Sequence, residues 1–205
     1  MTTPSGTGPA DRERLATLVR RSNAGLHTAI HDFVDSGHRH INHALRQALP
    51  PDAIVQRFLD ELQLMDDYAG TSYRVWTISR DGLSTLQRAQ GQPFIDLGAL
   101  CAFVLPGHAA EWATRANAVG AHRDEDTQQV FSIFDETVPQ KNLSTGQCAD
   151  LVAVPPGVPL VLKALRVVAV ELPAGANREC IVAHFARAEW PSLPPYDLYS
   201  GRLLR

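Results

Sequence analysis

The residue in this chain that most needs a chemical partner is Arg74. It lies in Thr71-Ser72-Tyr73-Arg74-Val75-Trp76-Thr77. Alternation reads this run as a short strand, with Tyr73, Val75 and Thr77 on one side and Ser72, Arg74 and Trp76 on the other. An arginine in an otherwise uncharged strand either pairs with a core carboxylate or faces a cleft, because an unpaired guanidinium is costly to bury. Its planar fork of donors suits a phosphate or a carboxylate. The other reactive side chains give weaker signals. His27 and His31 are four apart on a helical pattern, with His38, His40 and His43 close behind. Such a pair can ligate zinc, but no Cys partner stands at motif spacing, so a solvated helix face is expected. Cys101, Cys148 and Cys180 are odd in number and form no Cys-x-x-Cys pair. They indicate neither a zinc knuckle nor a disulfide framework, and a reducing compartment suits them. Cys101 sits in an apolar run, where a thiol is buried and inert. Ser132, Ser144 and His184 make no nucleophile-elbow order.

The elements that must position Arg74 follow from periodicity. Residues 11–35 carry Leu15, Leu18, Val19, Leu26, Ile30, Phe33 and Val34 at helical steps, with an interruption at Gly25 and a break at 35–37. Residues 38–48 form a second helix that stops at Pro50-Pro51. A third, from about Asp52, presents Ile54, Val55, Phe58, Leu59, Leu62 and Met65. After the Arg74 strand come a short helix (81–87), a continuous apolar strand (99–105) and a helix (109–119) with Trp112 on its apolar side. A strand at 128–134, a polar loop (135–146), strands at 151–154 and 160–162, and a hairpin of 165–172 with 180–187 complete the pattern. The fold class is α+β: an N-terminal helical lobe, then a mostly antiparallel β core. Residues 1–10 read as a disordered tail, 11–190 as one domain and 191–205 as a proline-rich C-terminal tail.

Composition excludes several classes. The chain has 205 residues, 44% of them hydrophobic, enough for one full core. A net charge of −3 and a pI near 6.2, with no Lys/Arg run, argue against a nucleic-acid partner. No apolar run has the length of a membrane span. The first ten residues lack the apolar core of a signal peptide, so the expected location is cytoplasmic, or exported by a route other than Sec.

Two stretches resemble one family. His40-Ile41-Asn42-His43-Ala44-Leu45-Arg46, a helix, and then Tyr73-Arg74 look like the opening of the bacterial ADP-ribosyltransferase exoenzymes. There a helical lobe with an Ile-Asn-x-x-Leu-Arg signature precedes a strand ending in Tyr-Arg. Asp150-Leu151-Val152-Ala153-Val154-Pro155-Pro156-Gly157 resembles the strand that follows the family's Glu-x-Glu motif and runs into a Pro-Pro-Gly turn. The resemblance spans roughly residues 12–187 and rests on the order of the motifs.

The resemblance implies NAD as substrate, with Arg74, next to Tyr73, holding its phosphates. It implies that Cys101-Ala102-Phe103 replaces the Ser-Thr-Ser that shapes the nicotinamide–ribose pocket, and that Cys148-Ala149-Asp150 replaces Glu-x-Glu. Asp150 then stands where a carboxylate stabilises positive charge on the ribose as nicotinamide departs, and Cys148 where an acid activates the acceptor. A competing register puts Glu179 at the catalytic position. Three functions remain open. One is a toxin- or effector-like protein with a degraded site, binding NAD weakly and acting through a protein partner. Another is an active, atypical mono-ADP-ribosyltransferase or NAD glycohydrolase. The last is an interaction module without a nucleotide site.

Overall fold

A computed structural model describes residues 8–118, 127–171, 177–189 and 194–204. The first seven residues of the expected tail, most of the 173–177 turn and residues 191–193 lie outside them. Helix α1, Pro9–Arg21, begins inside the stretch expected to be a tail. Pro9 stands in its first turn, where a missing N–H costs nothing, and Asp11, Arg20 and Arg21 complement its dipole. The chain leaves the helix at Ser22 rather than at Gly25, and a 3₁₀ turn follows at Ala24–Leu26. The exit resets the helical phase, so Leu26, expected on the core stripe, is 85% exposed.

The expected break at residues 35–37 is absent. Helix α2, Thr28–Asp32, widens into a π turn over Phe33–Gly37 and continues as α3, His38–Arg46. A side chain at Gly37 would crowd the Asp32 carbonyl, so glycine here serves the wide turn rather than a stop. Helix α4, Ala53–Leu64, is capped by Asp52, which accepts from the Val55 amide at 2.8 Å. Glu61 of α4 accepts from the amides of Ala29 and Ile30 and so ties down the start of α2. Ile30, Phe33, Ile41, Val55, Phe58 and Leu62 fill the lobe, with Phe33 stacked on Phe58.

The remaining elements build one nine-stranded sheet: β1 Ser72–Ser79, β2 Pro93–Ile95, β3 Leu100–Phe103, β4 Thr127–Phe134, β5 Lys141–Asn142, β6 Leu151–Val154, β7 Leu160–Glu171, β8 Asn177–Arg187 and β9 Tyr196–Asp197. Their order is β5-β6-β3-β1-β4-β8-β7-β2-β9. Pairing is antiparallel except at β4–β8 and β2–β9. Helices α5, Arg80–Arg88, and α6, Pro106–Ala118, follow β1 and β3. The α+β class expected from the sequence is therefore the class observed. Among the described residues no helix is long and apolar enough to cross a membrane.

Strand β3 divides two cores. Leu100 and Ala102 join Trp76, Ile78, Val130, Phe134 and Phe185, while Cys101 and Phe103 edge the lobe core with Leu151 and Ala153. Two stretches read as surface are in fact packed. The polar loop at 135–146 buries Val138, Gln140, Asn142, Leu143 and Ser144 and contributes β5. In the expected C-terminal tail, β9 lies beside β2, Leu198 is 1% exposed, and Tyr199 sits edge-on to Trp76 at 4.9 Å. Gly82 lets this segment close down, because a Cβ there would press into the Tyr199 carbonyl and Ile78. Gly82→Ala is therefore expected to lower stability by about 1–3 kcal/mol in urea unfolding, as overpacking does. Gly107→Ala, where a Cβ meets open space, serves as the control with little loss.

Candidate active site

The site starts at α3. Arg46 donates from Nε and Nη2 to the two oxygens of the buried Asp96, both at 2.8 Å, and from Nη2 to the Tyr199 hydroxyl at 2.9 Å. Its guanidinium lies 4.5 Å from the centre of the Tyr199 ring. One turn earlier, Asn42 accepts from the Ala99 amide at 2.8 Å and donates to the Ala99 carbonyl at 3.2 Å. Gly98 allows this approach, since a Cβ there would stand 2.8 Å from Asn42 Oδ1. Residues 96–99 are thereby clamped to the helix, and they lead straight into β3.

Strand β3 runs between β1 and β6, with Tyr73 opposite Phe103 on one side and Phe103 opposite Leu151 on the other. Arg74 reaches it from β1 and donates through Nη1 to the Cys101 carbonyl. Its Nε is buried without a partner, and among the described residues no carboxylate pairs with it. The core ion pair considered for Arg74 from the sequence is thus not what holds it. Burial, the Arg39 charge and the Arg74 charge all keep His38, at the head of α3, below the usual imidazole pKa. Trp76, on Arg74's side of the strand, donates to Ser132 Oγ. Tyr73 points to the opposite side, where its ring lies 5.9 Å from Phe131.

Asp150 immediately precedes β6, and its carbonyl accepts from the Val104 amide at 2.9 Å. It is 4% exposed, and its Oδ2 lies 2.7 Å from His108 Nδ1. Burial pushes this carboxyl above its ordinary pKa, and the imidazole pulls it back. Asp150 neither pairs with Arg74 nor faces bulk water. His108 is not among the residues the sequence points to. It stands in the first turn of α6, which packs against β1 and β3, and Trp112 follows it one turn later. Trp112, expected in the core, is 49% exposed and has its ring 6.4 Å from Phe103. The four-residue spacing of His108 and Trp112 after Pro106-Gly107 is the signal that could have found it.

The two thiols are shielded. Thr145 Oγ1 accepts from the amides of Gln147 and Cys148 and so curls the loop before Asp150. Burial pushes Cys101 and Cys148 up to about 11, with Asp150 adding to the shift of Cys148 and Arg74 opposing that of Cys101. The backbone of Glu179 pairs with Ala169 in the β7–β8 hairpin, four residues along β8 from Ala183. Ala183 is the neighbour of Ser132, which is Arg74's own partner on β4. An open groove of about 780 Å³ lies elsewhere, between α1 and residues 66–69, and Arg14 there is spent on the Tyr68 hydroxyl at 2.8 Å.

No protein-family model and no curated protein matches the sequence. The fold is nonetheless specific: it is that of the ADP-ribosyltransferases. The chain is similar to the Vibrio splendidus toxin Vis, with 17% identity and a TM-score of 0.65 over 100% of this chain and 98% of that one. The complex of Vis with agmatine gives 15% identity and a TM-score of 0.67 over 99% and 97%. An ADP-ribosyltransferase from Clostridium botulinum gives 12% identity and a TM-score of 0.54 over 91% and 98%.

The shielding of the thiols predicts slow alkylation. At pH 8 a thiol of pKa near 11 is only about one part in a thousand thiolate. Iodoacetamide should therefore modify Cys101 and Cys148 at least about 100-fold more slowly than free cysteine, as read by peptide mass spectrometry. Asp150→Asn should selectively speed modification of Cys148. Equal rates in the two proteins would place Asp150's charge away from that thiol.

Proposed function

We propose that the protein cleaves the nicotinamide–ribose bond of NAD, as an atypical mono-ADP-ribosyltransferase or NAD glycohydrolase. The observation that carries this reading is the buried Asp150 carboxylate held by His108 at the start of β6. A carboxylate with so little solvent contact strongly stabilises positive charge beside it. Cleavage of NAD develops that charge on the ribose as neutral nicotinamide leaves. Arg74 has a buried donor still unspent, and its guanidinium holds the pyrophosphate. Phe103 and Trp112 offer half-exposed ring surface nearby for the nicotinamide or ribose. In this register Asp150, not Glu179, is the catalytic carboxylate, and Cys148 is a neutral wall.

A second reading has one observation in its favour. Arg74 donates into the Cys101 backbone, and Cys101, Phe103 and Cys148 stand where the resemblance implies hydroxyls and an acid. That pattern suits a drifted site with weak NAD binding, in a protein that works by binding a protein target.

Calorimetric titration with NAD and chromatographic detection of free nicotinamide separate the two. Release by the wild type, lost in Asp150→Ala and kept in Glu179→Ala, is the expected result. Arg74→Lys should weaken NAD binding about 10- to 100-fold, the worth of one charge-assisted bidentate contact. Binding without release would select the drifted site. Loss of release in Glu179→Ala alone would transfer the carboxylate's role to Glu179.

A further inference from the structure

We propose that His108 is the base that activates the acceptor, and that the acceptor is a neutral oxygen nucleophile, water in the first instance, rather than a guanidinium. This inference rests on the NAD-cleaving reading above and names the substrate class of the same site.

The geometry assigns the two ring nitrogens different work. Nδ1 is spent on Asp150 at 2.7 Å. A carboxylate there fixes the ring and its tautomer, with the proton on Nδ1, and leaves the Nε2 lone pair free to accept a proton. The His108 side chain is 26% exposed whereas that of Asp150 is 6% exposed. A small nucleophile can thus reach the imidazole while the carboxylate stays out of bulk water. The position that the resemblance gives to an acceptor-activating acid is Cys148, whose thiol burial pushes up to about 11. A protonated thiol cannot take a proton at neutral pH, so the imidazole is the base at hand. Among the described residues Asp150 contacts it directly, Cys148 lies two residues before Asp150, and Glu111 lies three residues further along α6.

The same inventory disfavours a guanidinium acceptor. Such a group is a cation with a pKa above 12 and is bound by free carboxylates in bidentate fashion. Here Asp150 is engaged by His108, Asp96 is engaged on both oxygens by Arg46, Glu111 has an interaction of its own, and Cys148 is neutral. Arg74, which pairs with no carboxylate among the described residues, acts electrostatically on Cys101, two residues from Phe103, so an incoming cation meets positive charge. Water or a hydroxyl brings no charge and needs only a base.

The step balances simply. The water oxygen bonds to C1′ of the nicotinamide ribose, and the C1′–N bond breaks with its electron pair passing to the pyridinium ring. The water proton passes to His108 Nε2 and then to solvent. NAD and water give ADP-ribose, nicotinamide and one proton, with Asp150 stabilising the ribose cation between bond breaking and bond making.

Three measurements on the full chain test this: nicotinamide release from pH 5 to 9, product identity by mass spectrometry with and without agmatine, and NAD affinity. In His108→Asn the carboxamide N–H replaces Nδ1–H toward Asp150 but cannot accept a proton. It is expected to keep the thermal midpoint and the NAD affinity, to lose kcat by about 100-fold or more, and to change the pH profile of release. ADP-ribose is expected as the product, with agmatine unmodified. Added imidazole should restore release in His108→Gly, which is expected of a base and not of a packing residue. ADP-ribosyl-agmatine formation would overturn the acceptor assignment. Wild-type kcat and pH profile in His108→Asn, or no rescue of His108→Gly by imidazole, would overturn the role of His108 alone. If the wild type releases no nicotinamide, the NAD-cleaving reading itself fails and this one fails with it.

Discussion

The structure depends on the grip of α3 on residues 96–99. Asp96 is almost completely buried, a position a carboxylate tolerates only when its charge and lone pairs are matched. Arg46 matches the charge with two parallel hydrogen bonds, and the Gly98 amide adds another at 2.8 Å. Asn42 satisfies both backbone groups of Ala99. A half-broken network of this kind would be worse than none, so it fixes the level at which β3 enters the sheet. That level decides which residue of β3 meets Arg74 and which meets the start of β6. The helical lobe is in this sense part of the site, although it lends few side chains to it.

From that constraint follows a division of charges. Arg46 is neutralised by Asp96, and Asp150 is hydrogen-bonded to His108. Arg74 has no carboxylate partner among the described residues, and one of its donors is buried and idle. An idle buried donor has a real cost, about 1–3 kcal/mol by general experience. In the reading proposed above, a ligand rather than another side chain completes it. An anion beside Arg74 satisfies the guanidinium and leaves the Asp150–His108 pair undisturbed, because β3 separates the two. The physical logic of the site is thus an unneutralised cation and a shielded carboxylate on either side of a strand.

How much of this the sequence carried depends on range. The strand around Arg74, the three lobe helices and the apolar β3 were legible because their signals are local: alternation, helical spacing and Pro or Gly punctuation. The π turn at Phe33–Gly37 was not, because Ser and Gly are read as breakers while the packing of Gly37 against Asp32 is tertiary. Leu26 was misplaced because one helix was continued through a point where two were needed. The packed C-terminal segment was hidden behind its prolines: β9 borrows its partner from β2, about a hundred residues earlier, and no local pattern records that. In the candidate site, the placing of Arg74 within a strand and of Asp150 just before one was legible from alternation and order. His108 was not, because its significance lies in a contact across 42 residues with a carboxylate whose burial the sequence does not show.

The replacement of one acid and of hydroxyls by thiols, a methyl group and a ring, which the resemblance implies, reads as decay, but its electrostatics are coherent. Removing the acid at Cys148 removes a like charge from beside Asp150. A second carboxylate beside the buried Asp150 would push its pKa further up, because like charges disfavour ionisation. With a neutral thiol as neighbour, the remaining obstacle to ionising Asp150 is burial, and His108 opposes that directly. An imidazole from α6 holds the single carboxylate through a hydrogen bond and brings a second ring nitrogen as well. In the register proposed above, Cys148 and His108 belong together, the acid Asp150 and a base standing where the resemblance implies a pair of acids.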